Sequence, residues 1–356
     1  MISKEQLSSN IERGMLGLTK GIPHGYQKLT EFLPNIQQST YYLVGGELGV
    51  GKSAITDDMF VYNPIDWYLE NKDKTDIKLI IPYYSFEIPK KDKTVKYLAR
   101  RIYKRTGVLL DVNYILSRGN NRVSQEHYDL VKKELPILDE LEDILIMQDL
   151  PKNPTGIWND LLKLASENGT GIERIANGNY QFMENTDYKP NNDNLYVIPV
   201  VDHIGLTKTE REFNKKQVID KLSAYMIILR NKCSFSPVLV QQLNRAMSSS
   251  DRFKLDRVEP QLSDFKESGN TQEDANVVLA LFSPQRYEIP NFRDYNIGRL
   301  RNRFRSLSVL KNRDGEADKI LGMQFIGEVG TFNELPRGKE MTEQEYLLIE
   351  KLKKNC

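Results

Sequence analysis

Residues 46–53 read Gly46-Glu47-Leu48-Gly49-Val50-Gly51-Lys52-Ser53. They follow an apolar, strand-like run over 40–44 and open a helical pattern at Lys52, which is the context that a phosphate-binding loop requires. Glycines let backbone N–H groups turn towards phosphate oxygens, and the helix N-terminus adds partial positive charge. We expect Lys52 to reach the β- and γ-phosphates of ATP and the Ser53 hydroxyl to ligate Mg²⁺. The nucleotide-contacting residues predicted from this loop are Gly46, Gly49, Val50, Gly51, Lys52, Ser53 and Ala54.

The composition is that of a soluble α/β protein. The chain has 356 residues, 39% of them hydrophobic and 28% charged, with two cysteines and a net charge of +1. No run approaches the ~18 apolar residues of a membrane span, and the first residues lack the apolar core of a signal peptide. We therefore expect a cytoplasmic protein with no membrane partner. Any contact with nucleic acid must come from a local patch or from several subunits together.

Alternating strand and helix patterns predict an α/β fold with a mainly parallel, twisted sheet and helices on both faces. We expect one domain over 21–335, with insertions at about 168–194 and 283–302. A linker helix over 1–20 and a helical tail over 336–356 flank it. The predicted elements that matter below are a helix from Lys52 that bends or ends by Asn63-Pro64, a helix over Ser124–Glu142, and strands over Ile77–Ser85, Leu195–Val201 and Leu307–Lys311.

Two carboxylates follow predicted strands and are candidates for the rest of the site. Asp202 is the first charged residue after the strand Leu195–Val201, where a second Mg²⁺ ligand is expected, although Pro199 is unusual within a central strand. Glu87 follows the strand Ile77–Ser85 and could activate the attacking water. The alternatives are an aspartate that simply ends a strand and a glutamate that begins a helix.

Several ordered segments resemble the RecA-like motor domain of DnaB-type replicative helicases. Besides the phosphate loop, they span about residues 20–330 and are Gly21-Ile22-Pro23-His24-Gly25-Tyr26, Ser85-Phe86-Glu87, Gln241-Gln242-Leu243-Asn244-Arg245, Asp264-Phe265-Lys266-Glu267-Ser268-Gly269 and Lys311-Asn312-Arg313-Asp314-Gly315. Their order along the chain is more specific than any one of them. The resemblance implies a RecA-like P-loop NTPase core that uses ATP and Mg²⁺.

The resemblance also implies roles for individual residues. Glu87 would be the catalytic base, and Gln242 the sensor that links nucleotide state to DNA. Lys311 and Arg313 would be offered to the ATP of a neighbouring subunit. The residues expected to grip single-stranded DNA are Lys266, Glu267 and Gly269. With Lys52 and Asp202, these assignments complete the predicted catalytic set.

The sequence departs from the family pattern at three places. Glu47-Leu48-Gly49-Val50 stands where the family usually has R-P-S-M, and His203-Ile204-Gly205 follows Asp202 in place of Y-L-Q. In Thr271-Gln272-Glu273-Asp274 the family's E-Q order is exchanged. Only residues 1 to about 20 precede the motor-like region, so the helical N-terminal domain of the full-length helicases is expected to be absent.

A second cationic pattern lies outside these motifs. The stretch Arg299-Leu300-Arg301-Asn302-Arg303-Phe304-Arg305 has an arginine at every second position. On a strand, these arginines would share one face with Lys311 and Arg313. Such a face suits polyphosphate, DNA or the acidic edge of a neighbouring subunit. A solvated edge strand protected by charge is the alternative.

The sequence favours an ATP-dependent DNA helicase motor that assembles as a ring, with six subunits expected, and translocates on single-stranded DNA. Primase or a helicase loader are possible partners. Two alternatives stay open at this point. One is a RecA-like recombinase that forms filaments, and the other is a nucleotide-binding scaffold or helicase-loading partner that does not unwind DNA.

Overall fold

The computed structural model of the chain describes residues 4–15, 17, 19–244, 258–268 and 270–352. The strands of its central sheet are β1 (Tyr42–Gly46), β2 (Lys78–Ser85), β3 (Leu145–Gln148), β4 (Leu195–Val197), β5 (Val200–Asp202), β6 (Val238–Gln242), β7 (Val277–Phe282), β8 (Phe304–Asn312), β9 (Lys319–Ile326) and β10 (Thr331–Glu334). The helices are α1 (Lys4–Met15), α2 (Lys52–Asp57), α3 (Asn63–Asn71), α4 (Lys90–Thr106), α5 (Val112–Ile115), α6 (Gln125–Glu134), α7 (Ile137–Leu141), α8 (Pro154–Glu167), α9 (Lys215–Cys233), α10 (Thr271–Asp274), α11 (Ile297–Leu300) and α12 (Glu343–Glu350).

The central sheet is mainly parallel, as the sequence predicts. Its order is β10-β9-β8-β7-β1-β6-β5-β2-β3, with β4 also beside β2. The strands from β7 across to β3 run parallel, whereas β8, β9 and β10 extend the sheet antiparallel. Short turns join these last strands, and a short turn can only connect antiparallel neighbours. Because the strands from β7 to β3 are parallel, their carboxyl ends meet at one edge of the sheet, where the phosphate loop begins.

Apolar side chains cover both faces of the sheet. Along β1, Tyr42 and Val44 belong to one buried cluster, and Leu43 belongs to the other. Helices α2, α3 and α4 pack on the first face, while α8 and α9 pack on the second. This alternation follows from the two-residue period of a strand. Within the residues that the structure describes, no helix combines the length and the hydropathy needed to cross a membrane.

Proline explains three differences between predicted and observed elements. The helix from Lys52, expected to bend or end by Asn63-Pro64, does not end there: it passes through a π-helical segment over Asp58–Tyr62 and continues as α3. Pro64 stands in the first turn of α3, where a missing N–H is tolerated. The single helix expected over Ser124–Glu142 is divided into α6 and α7 at Pro136.

Pro199 divides the strand expected over 195–201 into β4 and β5. It has no N–H to contribute to the sheet, but its carbonyl accepts from the Val238 N–H at 2.8 Å. The preceding Ile198 N–H donates to the carbonyl of Ile80 at 2.9 Å. A proline is therefore accommodated in this central position because it lies between two short strands.

The two stretches predicted to be insertions contain short secondary-structure elements. Two small antiparallel pairs, Gly169–Thr170 with Lys189–Pro190 and Ile172–Arg174 with Tyr180–Phe182, lie within 168–194. Within 283–302, a pair formed by Asn291–Phe292 and Tyr295–Asn296 precedes α11. The division of the chain at residues 20 and 335 stays a prediction.

Candidate nucleotide site

The phosphate loop connects β1 to α2 at the carboxyl edge of the sheet. Gly51 precedes α2 with φ 109°, a conformation that favours glycine. At Gly46, a Cβ atom would lie 2.7 Å from Val50 Cγ1 and 2.9 Å from the Leu281 carbonyl, so only glycine fits. These constraints leave backbone N–H groups at the start of a helix, which is the arrangement that binds phosphate.

Lys52 lies within reach of both predicted carboxylates. Its ammonium donates to the Glu47 carbonyl at 2.8 Å, and the residue is buried. Burial lowers the pKa of Lys52, while the charges of Glu87 and Asp202 oppose that change. The fold thus brings together a lysine and two carboxylates that lie far apart in the sequence.

Ser53 and Asp202 are directly hydrogen-bonded. The Ser53 hydroxyl donates to Asp202 Oδ1 at 3.0 Å, and Asp202 is fully buried at the end of β5. A hydroxyl oxygen next to a single carboxylate, beside a phosphate cradle, is a donor set that suits Mg²⁺. The residues present therefore fit the predicted metal: Ser53 and Asp202 would hold it, and it would supply positive charge to the phosphates when bound.

Glu87 lies immediately beyond β2, next to Asp202. Ser85 is opposite Asp202 in the parallel register, and the Phe86 N–H donates to the Asp202 carbonyl at 2.8 Å. The Ser85 hydroxyl donates to the Ile88 carbonyl at 2.6 Å, which holds the turn that carries Glu87. The Glu87 carboxylate is exposed, and across the described residues it makes no hydrogen bond or ion pair. An exposed carboxylate held at this edge can accept a proton from water.

Three side chains from beyond β7 hold the variable part of the phosphate loop. Tyr287 donates to Glu47 Oε1 at 2.6 Å, and Arg286 donates to the Leu48 carbonyl. Arg305 Nε donates to the Val50 carbonyl at 2.7 Å. Sequence reasoning missed these contacts, because nothing in the irregular stretch after β7 indicates that it folds back over a loop more than two hundred residues earlier.

The prediction that the alternating arginines share one face is wrong. Helix α11 and a 3₁₀ turn replace the expected strand before β8, so the two-residue period does not apply. Arg299 pairs with Glu343 at 2.6 Å, and Arg303 pairs with Glu328 at 2.6 Å. Arg305 is buried instead. These side chains point in different directions and form intramolecular contacts, so they do not make one cationic surface.

The predicted sensor lies at the end of β6. Gln242 is opposite Gly46, the first residue of the phosphate loop, in the parallel register. The preceding Gln241 is buried, and its amide donates to the Phe265 carbonyl at 2.9 Å while accepting from Thr271 Oγ1 at 2.6 Å. The start of the predicted DNA loop is therefore bonded to the strand that carries Gln242.

Much of the predicted DNA-gripping segment lies outside what the structure describes. Gly269 and Arg245 are not among the described residues, and the side chains of Lys266 and Glu267 are likewise outside them. Phe265 is described. Its ring packs against Gly45, where an added Cβ atom would lie 2.3 Å from Phe265 Cζ.

Lys311 and Arg313 lie at the opposite edge of the sheet from the phosphate loop. Lys311 is opposite Val278 near the start of β7, and its ammonium donates to the Glu273 carbonyl at 2.8 Å. Arg313 donates to the same carbonyl at 2.9 Å and is exposed. The structure does not bring these two residues to the site of their own chain.

Sequence reasoning also missed a buried ammonium behind Asp202. Lys93 on α4 forms ion pairs with Asp57 at 2.7 Å and with Asp202 at 3.2 Å. Burial lowers the pKa of Lys93, but the charges of these two aspartates outweigh it and raise the pKa overall. The ammonium therefore stays protonated. A lysine in a basic amphipathic helix carries no sequence signal for such a role.

Together, the phosphate loop, the bonded Ser53–Asp202 pair and the mainly parallel sheet define a P-loop NTPase with a RecA-like fold. Comparison with known proteins shows what the chain is similar to. A family model described as the DnaB-like helicase C-terminal domain matches residues 182–334.

Two curated relatives are similar to the chain over most of its length. The replicative DNA helicase DnaB of Mycoplasma pneumoniae is 23% identical over 333 residues, covering 92% of this chain and 60% of the relative. The Rickettsia typhi replicative DNA helicase DnaB is 22% identical over 274 residues, covering 75% and 46%. The chain therefore spans about half the length of these two curated relatives.

Two solved structures have the same fold. An ATPase domain superposes with a TM-score of 0.67 at 16% identity, covering 94% of this chain and 99% of that one. A DnaB-like replicative helicase, described with its interactions with primase, gives a TM-score of 0.66 at 16% identity, covering 94% and 67%.

Proposed function

We propose that the chain is a cytoplasmic, ATP-dependent DNA helicase motor that translocates on single-stranded DNA and unwinds duplex. The observation that carries this proposal is the convergence of Lys52, the Ser53–Asp202 pair and Glu87 at one edge of the sheet. The match of residues 182–334 to the DnaB-like helicase C-terminal domain supports DNA as the track.

Each residue of the site has a proposed task. Lys52 binds the β- and γ-phosphates, and Ser53 with Asp202 holds Mg²⁺. Glu87 orients and deprotonates the attacking water. Gln242, opposite Gly46, reports loss of the γ-phosphate. The other residues of the phosphate loop, Gly46, Gly49, Val50, Gly51 and Ala54, surround the phosphates with their backbone.

We propose that the motor is a homo-oligomeric ring, with six subunits expected. Lys311 and Arg313 are too far from their own phosphate loop, at the opposite edge of the sheet, so they complete a neighbour's site. Lys266, Glu267 and Gly269 grip single-stranded DNA, and a channel shared by several subunits concentrates cations that a net charge of +1 does not supply. Primase and a helicase loader remain possible partners.

ATP hydrolysis measured with and without single-stranded DNA tests the proposal, together with native mass and strand displacement. We expect DNA-stimulated hydrolysis, a closed oligomer and unwinding. The Lys52→Ala variant should lose tight ATP binding or turnover, because one positive charge on the phosphates disappears. Near-normal hydrolysis by Lys52→Ala would refute the site. Filaments would favour a recombinase, and hydrolysis with no strand displacement by the ring would favour a scaffold or loading partner.

The DNA contact has its own test. The Lys266→Ala variant should bind single-stranded DNA more weakly and with a shallower salt dependence, because a lost phosphate contact releases fewer counterions. Basal hydrolysis should persist while stimulation by DNA falls. Lys132→Ala, which alters an exposed lysine on α6, is the control. Unchanged Lys266→Ala binding across a salt series would place the DNA site elsewhere.

A further inference from the structure

Lys93 is a buried lysine that forms ion pairs with two aspartates, Asp57 and Asp202. It is fully buried, and its ammonium donates to both oxygens of Asp57, at 2.9 and 2.7 Å. It also donates to Asp202 Oδ2 at 3.2 Å and to the hydroxyl of Tyr83. We call Asp57, Tyr83, Lys93 and Asp202 the Lys93 cluster.

The two oxygens of Asp202 have separate partners. Oδ1 accepts from the Ser53 hydroxyl at 3.0 Å, on the side of the phosphate loop. Oδ2 lies 3.2 Å from the Lys93 ammonium and 3.2 Å from the Tyr83 hydroxyl, on the buried side. A carboxylate held at its far oxygen cannot rotate freely, so Oδ1 keeps its direction towards Ser53.

The charges of the Lys93 cluster also favour a carboxylate of Asp202 whose Oδ1 faces Ser53. Two aspartates and one lysine leave one net negative charge when all three are ionised. A buried lysine is costly unless it is paired. Lys93 contacts both oxygens of Asp57 but only Oδ2 of Asp202, so Asp202 Oδ1 is left to Ser53. If Lys93 only neutralised Asp57, a bond to Asp202 would be unnecessary.

We infer that Lys93 is a positioning residue for the metal-binding carboxylate of the site: it holds Asp202 Oδ2 so that Oδ1 is presented, beside Ser53, to Mg²⁺. This inference rests on the proposed function. Lys93 does not touch nucleotide or metal. It acts through Asp202. The Tyr83 hydroxyl accepts from the Lys93 ammonium and donates to Asp57 Oδ1 at 2.5 Å, so it helps to hold the ammonium in place.

The test measures Mg²⁺ dependence in two ways. A fluorescent ATP analogue is titrated with Mg²⁺, and hydrolysis rates are followed against Mg²⁺ at fixed ATP. In Lys93→Met, the half-saturating Mg²⁺ concentration should rise by ~10-fold or more, as is typical when a partner behind a metal ligand is removed. Binding of the analogue without Mg²⁺ should be unchanged. Tyr83→Phe keeps the ring but removes the hydroxyl that accepts from Lys93, so it should shift the Mg²⁺ dependence in the same direction by less.

Arg100→Met is the matched control. Arg100 lies on the same helix, is also fully buried, and pairs with Asp58 at 2.7 Å without contacting Asp202. It should unfold at a lower temperature yet keep the wild-type Mg²⁺ dependence. If Lys93→Met does not fold, the shift in Tyr83→Phe decides the question.

A folded Lys93→Met with wild-type Mg²⁺ dependence would overturn the inference alone, as would an unchanged Tyr83→Phe where Lys93→Met does not fold. An equal shift in Arg100→Met would also overturn it, since any lost buried charge would then suffice. A wild-type chain that binds the analogue but shows no response to Mg²⁺ would overturn both this inference and the proposed function.

Discussion

Arg313 and Lys52 lie at opposite ends of the neighbouring strands β1 and β7. Lys52 begins α2 after the phosphate loop, and the last residue of β1, Gly46, is opposite Leu281 near the end of β7. The Arg313 N–H donates to the carbonyl of Asn276, the residue before β7 begins. Since β1 and β7 are parallel, their length separates the two side chains. An arginine placed this way can act on a nucleotide only if the nucleotide belongs to another subunit.

Arg313→Ala should therefore bind ATP and still assemble, but hydrolyse ATP poorly. Arginines that act in this way contribute on the order of 10³-fold to turnover. Mixing Arg313→Ala with Lys52→Ala should restore part of the activity after subunits exchange, because some sites then combine Lys52 of one chain with Arg313 of its neighbour. Steady-state hydrolysis of the mixture measures this recovery.

Arg301→Ala is the control for Arg313→Ala. Arg301 is also exposed and donates to a backbone carbonyl of its own chain, that of Gly298 at 3.4 Å. Its loss should leave hydrolysis unchanged. Full activity of a monomer at working concentration would reject action between subunits, as would mixtures that stay inactive despite confirmed exchange.

Glu87→Gln should leave ATP binding nearly intact and reduce hydrolysis by ~10²-fold or more, because the amide cannot accept the proton of water. Single-turnover hydrolysis and equilibrium binding separate the two effects. Asp149→Asn is the control: Asp149 follows the neighbouring strand β3 and accepts from the Lys90 N–H at 2.9 Å. If Glu87→Gln lowers affinity while saturated turnover survives, Glu87 has a structural role.

Arg305→Met should weaken nucleotide binding without changing oligomerisation. Arg305 is buried and binds the Val50 carbonyl, so its loss leaves a phosphate-loop carbonyl without this donor. An unsatisfied buried group costs about 1–3 kcal/mol, which corresponds to an affinity loss of roughly 10-fold. Arg303→Met, which breaks the pair with Glu328, should have no such effect. Equal affinities in both variants would contradict the prediction.

Acid should destabilise the fold through His24. Burial lowers the pKa of His24 to about 4, against the opposing hydrogen bond to the Leu33 carbonyl. Below pH 6.5, His24 is therefore protonated in the unfolded chain, whereas in the folded chain it stays neutral until about pH 4. The contribution of neutral His24 to the free energy of unfolding is fully present above pH 6.5. It decreases by about 1.4 kcal/mol per pH unit as the pH falls through this window.

Urea unfolding at pH 7.5, 6.5 and 5.5 measures this loss. His24→Gln can still accept from the Tyr26 N–H but does not titrate, so its stability should fall less between pH 6.5 and 5.5. A smaller slope should remain, since burial also lowers the pKa of His203. Identical slopes in the two proteins would show that His24 is not responsible.

The elements that the sequence predicted well are those in which local pattern and tertiary position agree. The run before Gly46 became β1, and the pattern after Lys52 became α2, because a buried strand and a helix start both have short-range signals. The two-residue period of Arg299–Arg305 predicts a strand, but α11 and a 3₁₀ turn cover 297–303, and in helical turns every second side chain does not share one face.

The sequence by itself determined the phosphate loop, since its glycines, Lys52 and Ser53 are neighbours along the chain and their backbone conformation is a local property. Only the tertiary structure decided how the loop is completed. Ser53 and Asp202 are 149 residues apart in the chain, yet their side chains are 3.0 Å apart. Parallel strands whose carboxyl ends meet at one edge bring them together, and the packing of α4 beneath that edge buries Lys93 against Asp202. Such contacts depend on register and packing across the whole sheet, which no local pattern encodes.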